Sequence, residues 1–244
     1  MKLGQNKTLF ISDLHLDARH PEIADDFIRL VKDSLGHIDA LYILGDFFES
    51  WIGDDDLSDF HQQIIHTLKF ATQTGLPIYF MHGNRDFLIR KKFLAATGCQ
   101  YLPDETVINL YGTPVLLMHG DTLCTLDVSY LKTRKKMRNP ILQKLFLLLP
   151  LSLRRKIRDK IRASSQQHIQ SAASEIMDVT QEAVFSVMQK HHVQYLIHGH
   201  THRPATHSFM LHQKSAERIV LAAWDEGAHA LIWQADGKKE LVDD

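Results

Sequence analysis

Five short turns in this 244-residue chain hold side chains able to bind metal ions: Asp13-Leu14-His15, Gly45-Asp46, His82-Gly83-Asn84-Arg85-Asp86, His119-Gly120-Asp121 and His198-Gly199-His200-Thr201-His202. From them we take Asp13, His15, Asp46, Asn84, His119, His200 and His202 as candidate ligands. They offer carboxylate, imidazole and amide donors and no thiolate, a set that suits Mn²⁺, Zn²⁺, Fe²⁺ or Co²⁺. Asp13 and His15 are two residues apart, which in extended backbone puts both on one side of a strand end. His200 and His202 share that spacing. The two oxygens of Asp46 can bridge a pair of ions. Asn84 supplies a neutral oxygen, which limits negative charge where a phosphate must enter. Two cations about 3.5–4 Å apart lower the pKa of a bridging water, neutralise phosphate oxygens and hold the reacting atoms in line.

The elements that position these turns are legible as a pattern. Apolar runs at 8–12, 41–44, 78–81, 115–118 and 194–197 each lead into one of them. Helical periodicity covers 21–35 and 57–74. Strands alternating with helices predict an α/β chain, with ligands at the carboxyl ends of the strands. Runs at 218–224 and 228–233 read as late antiparallel strands. Residues 119–193 carry no strand signal and read as helices over 127–138, 141–149, 151–164 and 168–190. We therefore expect a core of 1–124 and 191–244, with a helical cap at 125–190 inserted over the site.

Composition is that of a globular protein, 44% apolar and 23% charged. Histidine stands out, at 16 residues. The two cysteines, Cys99 and Cys124, form no CxxC pair, and a reducing cytoplasm is the expected compartment. The start of the chain has no signal-peptide pattern, and the apolar stretch 141–153 is too short to cross a bilayer. Net charge is only −1. Yet residues 130–162 carry twelve Lys or Arg against Asp159 alone, which is +11 and leaves −12 for the rest. A cationic segment on an acidic chain points to an anionic partner surface.

The ordered motifs D-x-H, G-D, G-N-x-D, H-G-D and G-H-x-H resemble the calcineurin-like metallophosphoesterase superfamily. Longer strings, among them Trp51-Ile52-Gly53-Asp54-Asp55-Asp56 and Met118-His119-Gly120-Asp121-Thr122-Leu123-Cys124, are similar to the UDP-2,3-diacylglucosamine diphosphatase family of Gram-negative lipid A synthesis. The likeness runs over roughly residues 8 to 235. It implies a four-layer α/β/β/α sandwich and hydrolysis of a lipid-linked sugar nucleotide at its pyrophosphate, giving UMP and 2,3-diacylglucosamine 1-phosphate with Mn²⁺. It puts Asp13, His15 and His202 on one ion, Asn84, His119 and His200 on the other, and Asp46 between. Asp46, Asn84, Arg85 and His119 would carry catalysis. Asn84, Arg85, His200 and, in the cap, Asp127 and Ser165 would touch substrate. Where the family has an Asn and a Lys, this chain has Ile169 and Ala172. A monomer peripheral to the cytoplasmic face of the inner membrane is expected, without nucleic acid.

Arg85 departs from the superfamily, where His commonly follows the Asn. A phosphate leaving group, with a second pKa of about 6, needs little protonation. A guanidinium that grips phosphate oxygens is then the more useful group. The cap stretch 140–153 is rich in Leu and flanked by cations, which suits acyl chains and an anionic leaflet. A solvated helix face or a nucleic-acid surface are the other readings of those charges.

Plainer roles go to other residues. His82 and His198 should orient neighbours, and His191 and His192 should sit at a helix end. Asp54, Asp55 and Asp56 should form a loop capping the helix at 57. Asp86 and Asp121 should support ligands, and Cys124 should be a small buried residue. The rival functions are a dinuclear esterase for nucleotides or DNA and a non-catalytic docking module.

Overall fold

The computed structural model describes residues 6–171, 178–225 and 227–243, with the side chains of 164–171 excepted. Strands β1 (Lys7–Ile11), β2 (Ala40–Leu44), β3 (Ile78–Met81) and β4 (Gln100–Leu102) run parallel in a first sheet. Antiparallel β10 (His229–Gln234) and β11 (Lys239–Asp243) complete it, in the order β11-β10-β1-β2-β3-β4. The second sheet joins β5 (Thr106–Leu110), β6 (Thr113–Leu117), β7 (Tyr195–His198), β8 (Ala205–Leu211) and β9 (Lys214–Val220) in the order β5-β6-β7-β9-β8.

Alternation along the strands builds the layers. Leu9 and Ile11 of β1 and Leu41 and Ile43 of β2 pack outward. They meet Phe27 and Val31 of α1 (Pro21–Ser34), Ile64 and Leu68 of α2 (Asp59–Gln73), and Phe93 of α3 (Lys91–Thr97). Phe10, Tyr42 and Leu44 point the other way and face Val115, Leu117, Ile197 and Ile219 of the second sheet. On that sheet's far side Leu116, Met118 and Leu196 meet Val184, Val187 and Met188 of α7 (Gln181–Lys190). The result is the expected α/β/β/α sandwich. Both faces of the central strands are buried, which is why they read as unbroken apolar runs.

The segment expected as a cap holds α4 (Val128–Met137), α5 (Pro140–Leu147) and α6 (Leu151–Ser171). Asp127 caps α4 by accepting from the Tyr130 amide at 2.8 Å, and Asn139 caps α5 ahead of Pro140. Two features differ from the sequence expectation. The helix beginning at 151 runs through 164–168 without a break. And α7, assigned to the cap by its position in the chain, packs as the fourth layer, because its apolar stripe fits the second sheet.

Arginines fasten the cap to the core. Arg154, 2% exposed, donates to the Ile52 carbonyl at 2.7 Å and pairs with Asp55. Arg155 pairs with Asp56, and Arg138 donates to the Gly83 carbonyl at 2.8 Å. Asp54 takes the amides of Arg90, Lys92 and Phe93 at the start of α3. The acidic trio therefore does not cap the helix near 57, as expected; Ser58 does that. The cap's lysines behave differently. Lys132, Lys135, Lys136, Lys144, Lys156 and Lys160 are exposed, with no ion pair among the described residues.

Candidate metal centre

The turns after β1 and β2 are zipped together. Asp13 N donates to the Gly45 carbonyl, His15 N to that of Asp46 and Leu16 N to that of Phe47, at 3.0, 3.0 and 2.9 Å. Leu14 and Leu16 flank His15, Phe47 and Phe48 follow Asp46, and all four are buried, so the core anchors the turns beside their ligands. Five of the seven candidates sit in the left-handed region: Asp13 (φ 55°), His15 (50°), Asp46 (50°), His200 (69°) and His202 (53°). Each such residue costs on the order of 1–3 kcal/mol, strain that gathers at working sites. It also corrects the spacing argument: these pairs converge through left-handed turns beyond the strand ends, not by extended alternation.

All seven candidates lie at these turns, and their donor atoms form two groups. Ligand atoms of Asp13, His15 and His202 lie within 4.8 Å of one another, as do those of Asp46, His119 and His200. Asn84 joins the second group, its Oδ1 2.9 Å from His119 Nε2. Asp46 Oδ1 accepts from the Arg85 amide at 2.7 Å. Asp13 Oδ2 accepts from the His200 amide at 2.8 Å, while its Oδ1 is buried without a hydrogen bond.

These atoms fit a pair of cations. His119 Nδ1 is 2.9 Å from the Leu44 carbonyl oxygen, which only accepts, so Nδ1 carries the proton. Its Nε2 faces the Asn84 oxygen, a gap that a proton fills when the ring is charged and that a cation would fill in its place. In the first group His15 Nε2 and His202 Nε2 approach to 3.4 Å. The neighbours also have no room to spare: a Cβ on Gly199 would stand 2.1 Å from Asp13 Oδ2.

Electrostatics point the same way. Burial works against a charged His119, but Asp46, Asp13 and Asp121 outweigh it and push the ring up to about 9. Burial would raise Asp13, yet His202, His119 and His15 hold its carboxyl well below the usual range. Burial and the charge on His119 lower His200 to about 4. A metal ion must displace the His119 proton. Below pH 9 the affinity of this group should therefore fall about tenfold per pH unit. Mn²⁺ titrations from pH 6.5 to 9 check this, and a flat profile would contradict it.

The supporting residues are also placed. Asp86 accepts from the amides of Gly83 (2.7 Å) and Phe47 (2.8 Å), holding the β2 and β3 turns together. Asp121 accepts from the Tyr130 hydroxyl at 2.6 Å and pairs with Arg134. His82 Nε2 bonds the Ile89 carbonyl, and His198 bonds its neighbour Gly199 and contacts Arg218. Cys124 is 2% exposed, and burial pushes its thiol up to about 12. The side chains of Ser165 and Ile169 and the whole of Ala172 lie outside what the structure describes. The sequence reading missed Glu49, 3.0 Å from His15 and 3.2 Å from Arg85. The only available signal was a carboxylate three residues beyond Asp46.

A cleft of about 680 Å³ opens from Asn84 and Arg85 towards the cap, where Leu142, Phe146, Ile157 and Ile161 line it.

The calcineurin-like phosphoesterase family model matches residues 7–204. A UDP-2,3-diacylglucosamine hydrolase of Serratia proteamaculans is 52% identical over 217 residues, 89% of this chain and 90% of that protein. One of Coxiella burnetii is 51% identical over 234 residues, 96% of each chain. Among solved structures, vacuolar protein sorting 29 of Cryptosporidium parvum superposes with a TM-score of 0.50 at 14% identity, over 98% of this chain and 96% of that one, a likeness of fold. With these matches over most of its length, the chain belongs to the calcineurin-like phosphoesterase family, in the group that includes the UDP-2,3-diacylglucosamine hydrolases.

Proposed function

We propose that this protein hydrolyses UDP-2,3-diacylglucosamine at its pyrophosphate, releasing UMP and 2,3-diacylglucosamine 1-phosphate. The observation that carries the reading is the cleft, polar at Asn84 and Arg85 and apolar at the cap, beside two clusters of metal-binding side chains. Such a shape suits an amphiphile whose phosphates meet the turns and whose acyl chains lie on Leu142, Phe146, Ile157 and Ile161. The relatives' names supply the substrate.

Asp13, His15 and His202 would hold one divalent ion and Asn84, His119 and His200 the other, with Asp46 between. Mn²⁺ suits this oxygen and nitrogen set. When bound, the ions supply an activated water and neutralise phosphate charge. Arg85 steadies the phosphate, and His200 and Asn84 border it. Asp127 is 8% exposed, and its carboxylate already accepts from the Tyr130 amide, so any contact it makes with the sugar comes from a fixed side chain.

Hydrolysis in ¹⁸O-labelled water with Mn²⁺ tests the reading. We expect both products, one of them labelled, because one P–O bond breaks and the water oxygen joins one phosphorus. Turnover of nucleotides or DNA with none of the lipid would overturn it.

We also propose that the cap docks on an anionic membrane face. On α5 and just beyond it, Ile141, Leu145 and Leu148 are 68%, 56% and 74% exposed, and the six lysines that have no ion pair among the described residues lie on the cap helices. Among the described residues no helix is long and apolar enough to cross a membrane. Vesicles with anionic lipid should sediment the protein, and Leu148→Asp should weaken this about tenfold. Equal recovery with neutral and anionic vesicles would contradict it.

A further inference from the structure

Glu49 lies in no motif, and its side chain is only 17% exposed. Its backbone is fixed where the β1 and β2 turns meet: Glu49 N donates to the Leu16 carbonyl at 3.1 Å, beside a bridge between Leu16 and Phe48. Its two oxygens face different partners. Oε2 is 3.0 Å from His15 Nδ1, a buried nitrogen with no other partner among the described residues. Oε1 accepts from Arg85 Nη1 at 3.2 Å and from Arg162 Nη2. One carboxylate thus touches a candidate ligand in the β1 turn, a guanidinium in the β3 turn and a guanidinium on cap helix α6.

We infer that Glu49 is a positioning residue that orients the His15 ring for metal binding and, through Arg85 and Arg162, ties that orientation to the seating of the cap. The inference rests on the two-ion reading above. An imidazole that ligates through one nitrogen is steered by an acceptor at the other. His15 presents Nε2 towards His202 and Nδ1 towards Glu49, so the carboxylate stands at the nitrogen that must keep its proton. The two guanidiniums offset a negative charge that would otherwise add to those of Asp13 and Asp46. Arg162 follows Ile161, which lines the apolar end of the cleft, so a displacement of α6 pulls on the same carboxylate that holds His15.

Three variants separate the arms. Glu49→Ala removes both. Glu49→Gln can still offer an oxygen to His15, but only by turning its NH₂ towards Arg85 and Arg162. Arg162→Ala cuts the cap arm, together with the 3.9 Å approach of Arg162 to Asp17, and leaves the His15 arm in place. Free Mn²⁺ is followed by electron paramagnetic resonance during titration, KM is measured on the proposed lipid substrate, and melting in chelator reports folding. Wild type should bind two ions. Glu49→Ala should weaken one of them about 10–100-fold and leave the other unchanged. Glu49→Gln should restore most of that affinity and raise KM about tenfold. Arg162→Ala should raise KM with both affinities intact. Wild-type Mn²⁺ affinities in Glu49→Ala would overturn the inference. If Glu49→Ala does not fold, an unchanged KM in Glu49→Gln would overturn it instead. A wild type that binds no Mn²⁺ would sink the two-ion reading itself.

Discussion

Asp46→Asn should lower turnover of the diacylglucosamine nucleotide by about 10³-fold, the equivalent of several kcal/mol of charge stabilisation. The substitution keeps the shape of the side chain and the acceptor that receives the Arg85 amide. What it removes is the negative charge placed between the two ligand groups. A second, independent signature follows in metal-free protein. Burial and the charge of Asp46 push the Asp86 carboxyl up to about 7. A carboxyl raised in the fold contributes stability that is full below its ordinary value near 3.8 and is lost as pH climbs to 7. His119, raised to about 9 from 6.5, is protonated both folded and unfolded below about pH 5, so it adds slope only near the top of this range. Between pH 4 and 6, in chelator, His82, His198 and His200, all lowered by burial, make both proteins more stable as pH rises, and wild type should gain less melting temperature than Asp46→Asn because only wild type carries the full opposing slope of Asp86. Parallel curves would show that Asp46 does not press on Asp86.

Gly83→Ala should cost about 10²-fold in activity, the scale associated with misplacing a reacting group by about 1 Å. A Cβ there would stand 2.1 Å from both Asp46 N and Asp46 Oδ1. The obstacle is backbone and a carboxylate already committed to the Arg85 amide, so Asp46 must move. Gly83 is pinned in turn, its N–H on Asp86 and its carbonyl on Arg138, and cannot retreat. Gly112→Ala is the control. It has open space around it and a φ of 91°, so it incurs only backbone strain on a distant hairpin. Measured side by side, Gly83→Ala should lose both Mn²⁺ affinity and turnover, and Gly112→Ala neither. Equal behaviour would mean that crowding at Asp46 is unimportant.

Both predictions depend on turns that sequence pattern locates better than it describes. The strands leading into the turns are legible because they are buried on both faces: the run at 78–81 coincides with β3, and that at 41–44 lies within β2. Elements at the periphery leave little trace. β4 has three residues, none of them buried; β5 alternates half-buried and exposed positions; and β8 begins Ala-Thr-His-Ser. Helix α3 is short, and its start is fixed by Asp54, 37 positions before Lys91, a contact no local window contains. The run expected as a strand at 218–224 ends as strand at Val220, because the chain there turns towards the site: Trp224 N donates to the Asp13 carbonyl. The left-handed ligands follow the same logic. Asp and His at non-glycine positive φ are held there by long-range bonds between turns, so spacing alone suggested the wrong geometry for the right pairs of residues. Charge was legible in total but not in allocation. Arg134, Arg154, Arg155 and Arg162 pair with Asp121, Asp55, Asp56 and Glu49 of the rest of the chain, and the lysines of the same helices stay in solvent.

The proposed hydrolysis requires two cations held side by side by Asp13, His15, Asp46, Asn84, His119, His200 and His202. Crystals soaked in Mn²⁺ and measured at the manganese edge test this directly. Two anomalous peaks are expected about 3.5–4 Å apart, one against Asp13, His15 and His202, the other against Asn84, His119 and His200, with Asp46 reaching both. A single peak, or peaks away from these turns, would contradict it.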